Sequence, residues 1–121
     1  MREILFRGKT SSTKSAKWKY GYLIKNNHGY KIIDDTSEKY VFEYSIGQYT
    51  GLKDKYGTKI FEGDILRDYG NDIEDWVVSY GNGAFVGIFD NVCEQLENLD
   101  YLEVIGNIYD RKNFEEENNE L

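Results

Sequence analysis

The chain has 121 residues and a mass of 14.2 kDa, which suits one domain with one modest core. Aromatic residues make up 16 %, led by 11 Tyr, beside 12 Gly and no Pro, a balance that leans toward strands and tight turns. The net charge of −7 weighs against a dedicated nucleic-acid binder, the lone Cys93 excludes an intrachain disulfide, and no apolar run approaches a membrane span.

The opening residues have no apolar signal-peptide core, so a soluble cytoplasmic protein is expected. The charge is polarised. Residues 1–31 hold eight basic residues and one acid; residues 32–121 hold seven basic and 21 acidic. Either the basic part meets a polyanion, or the two parts meet and neutralise each other; the second reading is the simpler one.

Residues 3–8 read as a first strand, with Ile4 and Phe6 on one face. Residues 9–17 are polar and serine-rich, which predicts a loop. Residues 18–25 read as a second strand with Trp18, Tyr20 and Tyr22 on one face and Lys17 and Lys19 on the other. A nucleic-acid stacking platform uses the same residue types, with rings for bases and lysines for phosphates. It needs rings and charges to converge, whereas a period of two separates them. The favoured reading is therefore an aromatic core face and a solvated lysine face. The candidate binding surface on the platform reading is Lys14, Lys17, Trp18, Lys19 and Lys25.

Asn26, Asn27, His28 and Gly29 form a turn, with residues 30–33 returning as the partner strand. His28, the sole histidine, reads as a solvated turn residue and not as a base or ligand. Residues 34–38 are an acidic loop, and residues 39–44 a short strand.

Residues 45–66 organise the chain. Residues 46–52 alternate as a strand, residues 53–57 turn on Gly57, residues 58–61 return, and Glu62-Gly63-Asp64 makes a tighter corner before Ile65-Leu66. Asp64 reads as a turn-shaping acceptor for backbone amides; the alternative is an acid pair with Glu62 at a barrel rim. Such a hairpin and corner suggest a small, strongly bent barrel. The run GQYTGLKDKYGTKIFEGDIL (47–66) resembles the signature of YopX-family proteins, encoded in phages and prophages of bacteria. Residues 1–9 resemble that family's first strand, and Glu103-Val104-Ile105-Gly106-Asn107-Ile108-Tyr109 its last. The family often has a proline just before the Gly-Gln-Tyr motif, which this chain lacks. The resemblance implies a mainly β fold with a part similar to an SH3-like barrel, and it implies no activity.

Residues 67–75 are rich in oxygen ligands, but their spacing does not match a calcium loop, and a solvated connection is expected. Residues 76–80 and 84–90 form the clearest hairpin around Gly81-Asn82-Gly83; both its faces are apolar, which predicts a central position. Val92, Gln95, Leu96 and Leu99 approach helical spacing, so one short helix over 91–100 is allowed. Cys93 there reads as a half-buried apolar residue. Residues 102–109 are a last strand, with Leu102, Val104, Gly106 and Ile108 sharing a face.

The sequence holds no phosphate loop, no nucleophile elbow and no metal-ligand spacing. The expectation is one mainly β unit over residues 1–112: an N-terminal β portion (1–44), an SH3-like barrel portion (45–112) and at most one short helix. An acidic tail (113–121) follows. No cofactor, metal or catalytic residue is assigned. The function expected is a non-enzymatic phage or prophage accessory module that binds a protein partner or itself; the alternative is a nucleic-acid-associated module using the basic N-terminal strands.

Overall fold

The computed structural model describes residues 3–11 and 15–110. These form a mainly β protein of two antiparallel sheets, neither closed into a barrel. The chain divides into two compact units, Met1–Gly51 and Leu52–Leu121. Among the described residues, no helix is long and apolar enough to cross a membrane.

The first unit contains β1 (Phe6–Lys9), β2 (Trp18–Asn26), β3 (Gly29–Ile33), β4 (Glu38–Val41) and most of β5 (Gly47–Lys53). They lie in the order β4-β3-β2-β1-β5. β2 and β3 form the expected hairpin, with Asn26 opposite Gly29 and Tyr22 opposite Ile33. His28 is exposed at its tip, and its N–H donates to Asn26 Oδ1 at 2.7 Å. The end of β4 folds back on β1: Val41 bridges Thr10, and the Phe42 N–H donates to the Lys9 carbonyl at 2.9 Å. Buried Ile32 and Val41 fill this unit. The strand expected over 39–44 stops at Val41, and Glu43–Ser45 form a 3-10 turn. Buried Ser45 explains the stop. Its hydroxyl donates to the Phe42 carbonyl at 2.6 Å and accepts the Lys9 N–H at 2.8 Å, a local alternative to strand pairing.

The second unit starts within β5, whose end runs beside β6 (Lys59–Phe61). It continues through β7 (Asp64–Asp68), β8 (Glu74–Gly81), β9 (Ala84–Phe89), β10 (Val92–Gln95) and β11 (Glu103–Asn107). Five of these form a sheet in the order β10-β9-β8-β7-β11, with β8 in the middle, as its two apolar faces predict. Asn82 and Gly83 link β8 to β9 with φ of 54° and 81°; a tight hairpin turn matching the strand twist needs both positive. The core is Ile60, Leu66, Trp76, Val78, Leu96, Leu99 and Leu102. Each fully buried aliphatic side chain contributes about 1.5–3 kcal/mol.

Residues 91–100 differ from the helical expectation. Val92–Gln95 pair with β9 as β10, and only Leu96–Asn98 turn, as a 3-10 segment. Leu96 and Leu99 are buried, Val92 is half exposed, and the apolar spacing marks a strand end joined to a turn. Cys93 is exposed on β10, not half-buried. In β11 a bulge between Val104 and Gly106 shifts the register, which breaks the expected common face of 102–108. The tail at 113–121 lies outside the described residues.

The motif of residues 47–66 is held by two buried aspartates. Asp54, 7 % exposed, accepts the N–H groups of Tyr56 and Thr58 at Oδ1 and that of Val104 at Oδ2, all at 2.9 Å. It thereby ties the β5–β6 turn to β11. Burial opposes its ionisation, but the Val104, Thr58 and Tyr56 amides outweigh this and hold its carboxyl below the ordinary value. Asp64, 2 % exposed, accepts the Phe61 N–H at 2.7 Å, the turn-shaping role its sequence position predicts. Between them Gly63 sits at φ 92°, and a Cβ there would stand 2.8 Å from the Tyr109 ring.

Candidate functional site

The candidate site is the outward face of β2. Successive strand side chains alternate, so β2 presents one set to each face of its sheet. The set facing out is the aromatic one. Tyr20 is 45 % exposed, Tyr22 69 % and Ile24 46 %, while Lys19 and Gly21 are buried. This reverses the favoured reading of Trp18, Tyr20 and Tyr22 as a core face and of the lysines as solvated.

The physical reason lies in Lys19. Its ammonium reaches Asp34 Oδ2 at 2.7 Å and Ser37 Oγ at 2.9 Å, so its charge enters the sheet already paired. Asp34 Oδ1 in turn accepts the Thr36 and Ser37 N–H groups at 2.9 Å each. Lys19, then these amides, hold the Asp34 carboxyl far below the usual carboxylate range. The acidic loop is thus an anchor for one inward lysine. Gly21 lets the β3 backbone close over the same face, since a Cβ there would collide with the Ile33 carbonyl.

On the aromatic face the rings carry cations from neighbouring strands. The Arg7 guanidinium lies 4.7 Å from the Trp18 ring and Lys9 Nζ 5.6 Å from it, placed by the register of Lys9 opposite Trp18. Lys31 Nζ stands 5.1 Å from the Tyr40 ring, its cross-strand neighbour. Tyr22 stands opposite Ile33 and carries no such cation among the described residues. Beside it a groove of about 480 Å³ is lined by residues of β2, the end of β3 and the segment before β1: Tyr20, Tyr22, Ile33, Leu5, Glu3, Asp34 and Asp35 among them.

The model of the YopX protein family matches residues 5–114, nearly the whole chain. The chain belongs to the YopX family. No curated protein matches it. Among solved structures it is similar to protein EF1440 from Enterococcus faecalis, at 26 % identity and a TM-score of 0.43, over 88 % of this chain and 72 % of that one.

For this YopX-family chain, the four described residues of the five expected to form a basic platform do not converge. Lys14 lies outside the described residues. Lys17 is exposed and pairs its backbone with Thr10. Trp18 is half-buried under Arg7 and Lys9. Lys19 is inward and salt-bridged, and Lys25 stands 5.4 Å from the Tyr30 ring on the face opposite Trp18. The residues that do meet are Tyr20, Tyr22, Asp34 and Asp35. The signal for them was present: alternation groups Tyr20 and Tyr22, and the hairpin turn returns residues 33–35 beside them. No group of acids, His or Cys among the described residues is placed to hold a metal ion.

Proposed function

We propose that this YopX-family chain is a non-enzymatic protein-binding module, a cytoplasmic accessory protein of phage or prophage origin. The observation that carries the reading is the exposed aromatic face of β2. Tyr22 at 69 % and Tyr20 at 45 % exposure, with Ile24 in the same row, are large rings left in water beside a groove. Tyrosines of this kind supply contact area at little entropic cost and are enriched at protein interfaces. The second unit is read as SH3-like. Its five-strand order, with a 3-10 turn before a last strand that pairs with the first, supports this.

The test is affinity capture of the tagged protein beside its Tyr20→Ala/Tyr22→Ala variant, each with and without nuclease. A protein partner that survives nuclease and is lost with the variant supports the reading. A partner retained equally by the variant removes this face from the function.

The nucleic-acid reading has one observation in its favour, the placement of Arg7 and Lys9 against Trp18 on the aromatic face. Arg7 is only 5 % exposed, however, and Asp34 and Asp35 line the neighbouring groove, where they would repel a phosphate backbone. That reading predicts a catch that vanishes with nuclease and weakens steeply with salt.

A further inference from the structure

The two sheets have four end strands among the described residues, and three of them are tied off. At β4, Val41 bridges Thr10, and the Ser11 N–H donates to the Tyr40 carbonyl at 3.0 Å. At β6, the Phe61 N–H donates to buried Asp64. At β11, the Val104 N–H donates to Asp54, the Lys55 N–H donates to the Leu102 carbonyl, and a bulge interrupts the strand. The fourth end is β10. It pairs with β9 in an even register, from Val92 opposite Phe89 to Gln95 opposite Val86. A regular open edge is a template for another strand, and proteins commonly guard it with Lys, Pro or a bulge. β10 has none of these.

The ladder fixes which groups face the open side. The two-residue loop of Asp90 and Asn91 makes Phe89 and Val92 a hydrogen-bonded pair, so Val92 and Glu94 spend their backbone groups on β9. Cys93 and Gln95 turn theirs outward. The Gln95 N–H is taken by Glu94 Oε1 at 3.1 Å. Cys93 therefore presents one N–H and one carbonyl, the complement of one residue on an antiparallel strand. Its exposed side chain shares a face with Ile88, itself 41 % exposed, and Val92 on the other face is 50 % exposed. Residues 68–110, which include β8 to β11, hold ten acidic residues and no Lys, Arg or His. Asp90, Glu94 and Glu97 lie in or beside β10. A second copy would bring the same acids to the same line, so charge selects a basic strand over self-pairing.

We propose that β10 accepts an extended basic segment of a partner protein as a sixth strand of this sheet, with an apolar residue paired to Cys93 and lysine or arginine beside it. The apolar residue would extend the row of Cys93 and Ile88, and the cation would meet Glu94 on the alternate face. This surface belongs to the second unit and does not rest on the Tyr20–Tyr22 face.

The probe is a capped peptide, Thr-Lys-Val-Lys-Thr, titrated into the isotope-labelled full chain and followed by amide NMR shifts and hydrogen exchange. One control replaces both lysines with glutamate. A second carries an N-methylated valine, which has no N–H for the Cys93 carbonyl. The expected result is saturable shifts centred on residues 91–95 and Ile88, with exchange of the Cys93 amide slowed by about threefold or more at saturation. The N-methylated peptide should bind about threefold more weakly or worse, and the glutamate peptide should not bind. Cys93→Pro removes the outward N–H and spares the bonds to β9, so it should weaken the peptide by about threefold or more, whereas Cys93→Val should bind like wild type. If Cys93→Pro fails to fold, the N-methylated peptide decides on the unaltered protein. Absence of saturable shifts, shifts centred elsewhere, or equal binding of either control peptide would overturn the proposal. So would shifts at 91–95 that grow with protein concentration alone, since a second copy would then hold the edge. The Tyr20→Ala/Tyr22→Ala variant should bind the peptide like wild type, which keeps a failure here separate from a failure of the first-unit reading.

Discussion

Replacing Asp54 by alanine should be the most damaging single change in the turn of the family motif. The carboxylate accepts three backbone N–H groups at 2.9 Å and is 7 % exposed. A hydrogen bond to a charged acceptor is worth about 1.5–3 kcal/mol, and a buried donor left without a partner costs about 1–3 kcal/mol. The three bonds share one acceptor and are not additive, so Asp54→Ala should cost about 3–4 kcal/mol. That is a large part of a typical ~5–15 kcal/mol stability and should lower Tm by roughly 10–15 °C. Asp54→Asn keeps one acceptor oxygen for Tyr56 and Thr58 but turns an NH2 toward Val104, so about 2 kcal/mol is expected. Urea unfolding followed by tryptophan fluorescence measures both. The pH dependence has a fixed sign. The folded carboxyl titrates below the ordinary 3.8, so its contribution is complete above 3.8 and is lost as pH falls through the folded value. The gap between wild type and Asp54→Ala should therefore be full at pH 7 and shrink below about pH 3.8. An Asp54→Ala protein within about 0.5 kcal/mol of wild type at pH 7 would refute this account of the turn.

Gly63→Ala combines a φ of 92° with a Cβ 2.8 Å from the Tyr109 ring, and should destabilise by about 2–3 kcal/mol in the same urea assay. Gly87→Ala drives a Cβ into Leu99 within the core and should lower Tm, with the loss partly rescued by Leu99→Ala. Lys19→Met leaves Asp34 without its ammonium partner, so amide exchange should quicken at residues 34–37 while residues of β7 to β9 keep their protection. Cys93 is exposed, and one equivalent of thiol should react with an aromatic disulfide reagent without denaturant.

The hairpins were legible in the sequence because their turns carry their own chemistry. Asn82-Gly83 and Asn26 with Gly29 announce themselves whatever surrounds them. The Asp64 corner was legible for the same reason, since a short acceptor beside a glycine has few other uses. The family was legible from the length of its motif. The orientation of β2 was not. Alternation separates Trp18, Tyr20 and Tyr22 from Lys19 but cannot say which set is inside; that depends on Asp34 and Ser37, which lie 15 and 18 residues away in sequence. A lysine with a partner can be buried and a tyrosine can be left out, so residue type alone pointed the wrong way. Residues 91–100 misled for a related reason. Leu96 and Leu99 are core residues of a 3-10 turn, and Val92 belongs to the strand before it, so a spacing of three and four arose without a helix. Asp54 escaped notice because its third partner, Val104, is 50 residues away.

The central claim is that the Tyr20–Tyr22 face of β2 is where a protein partner docks. A photocrosslinking amino acid placed at position 22, and separately at position 39 on the opposite face of the sheet, tests it in cells of the native host. The account predicts a nuclease-resistant protein adduct from position 22 and none from position 39. Equal adducts from both positions, or adducts from position 22 that disappear with nuclease, would contradict it.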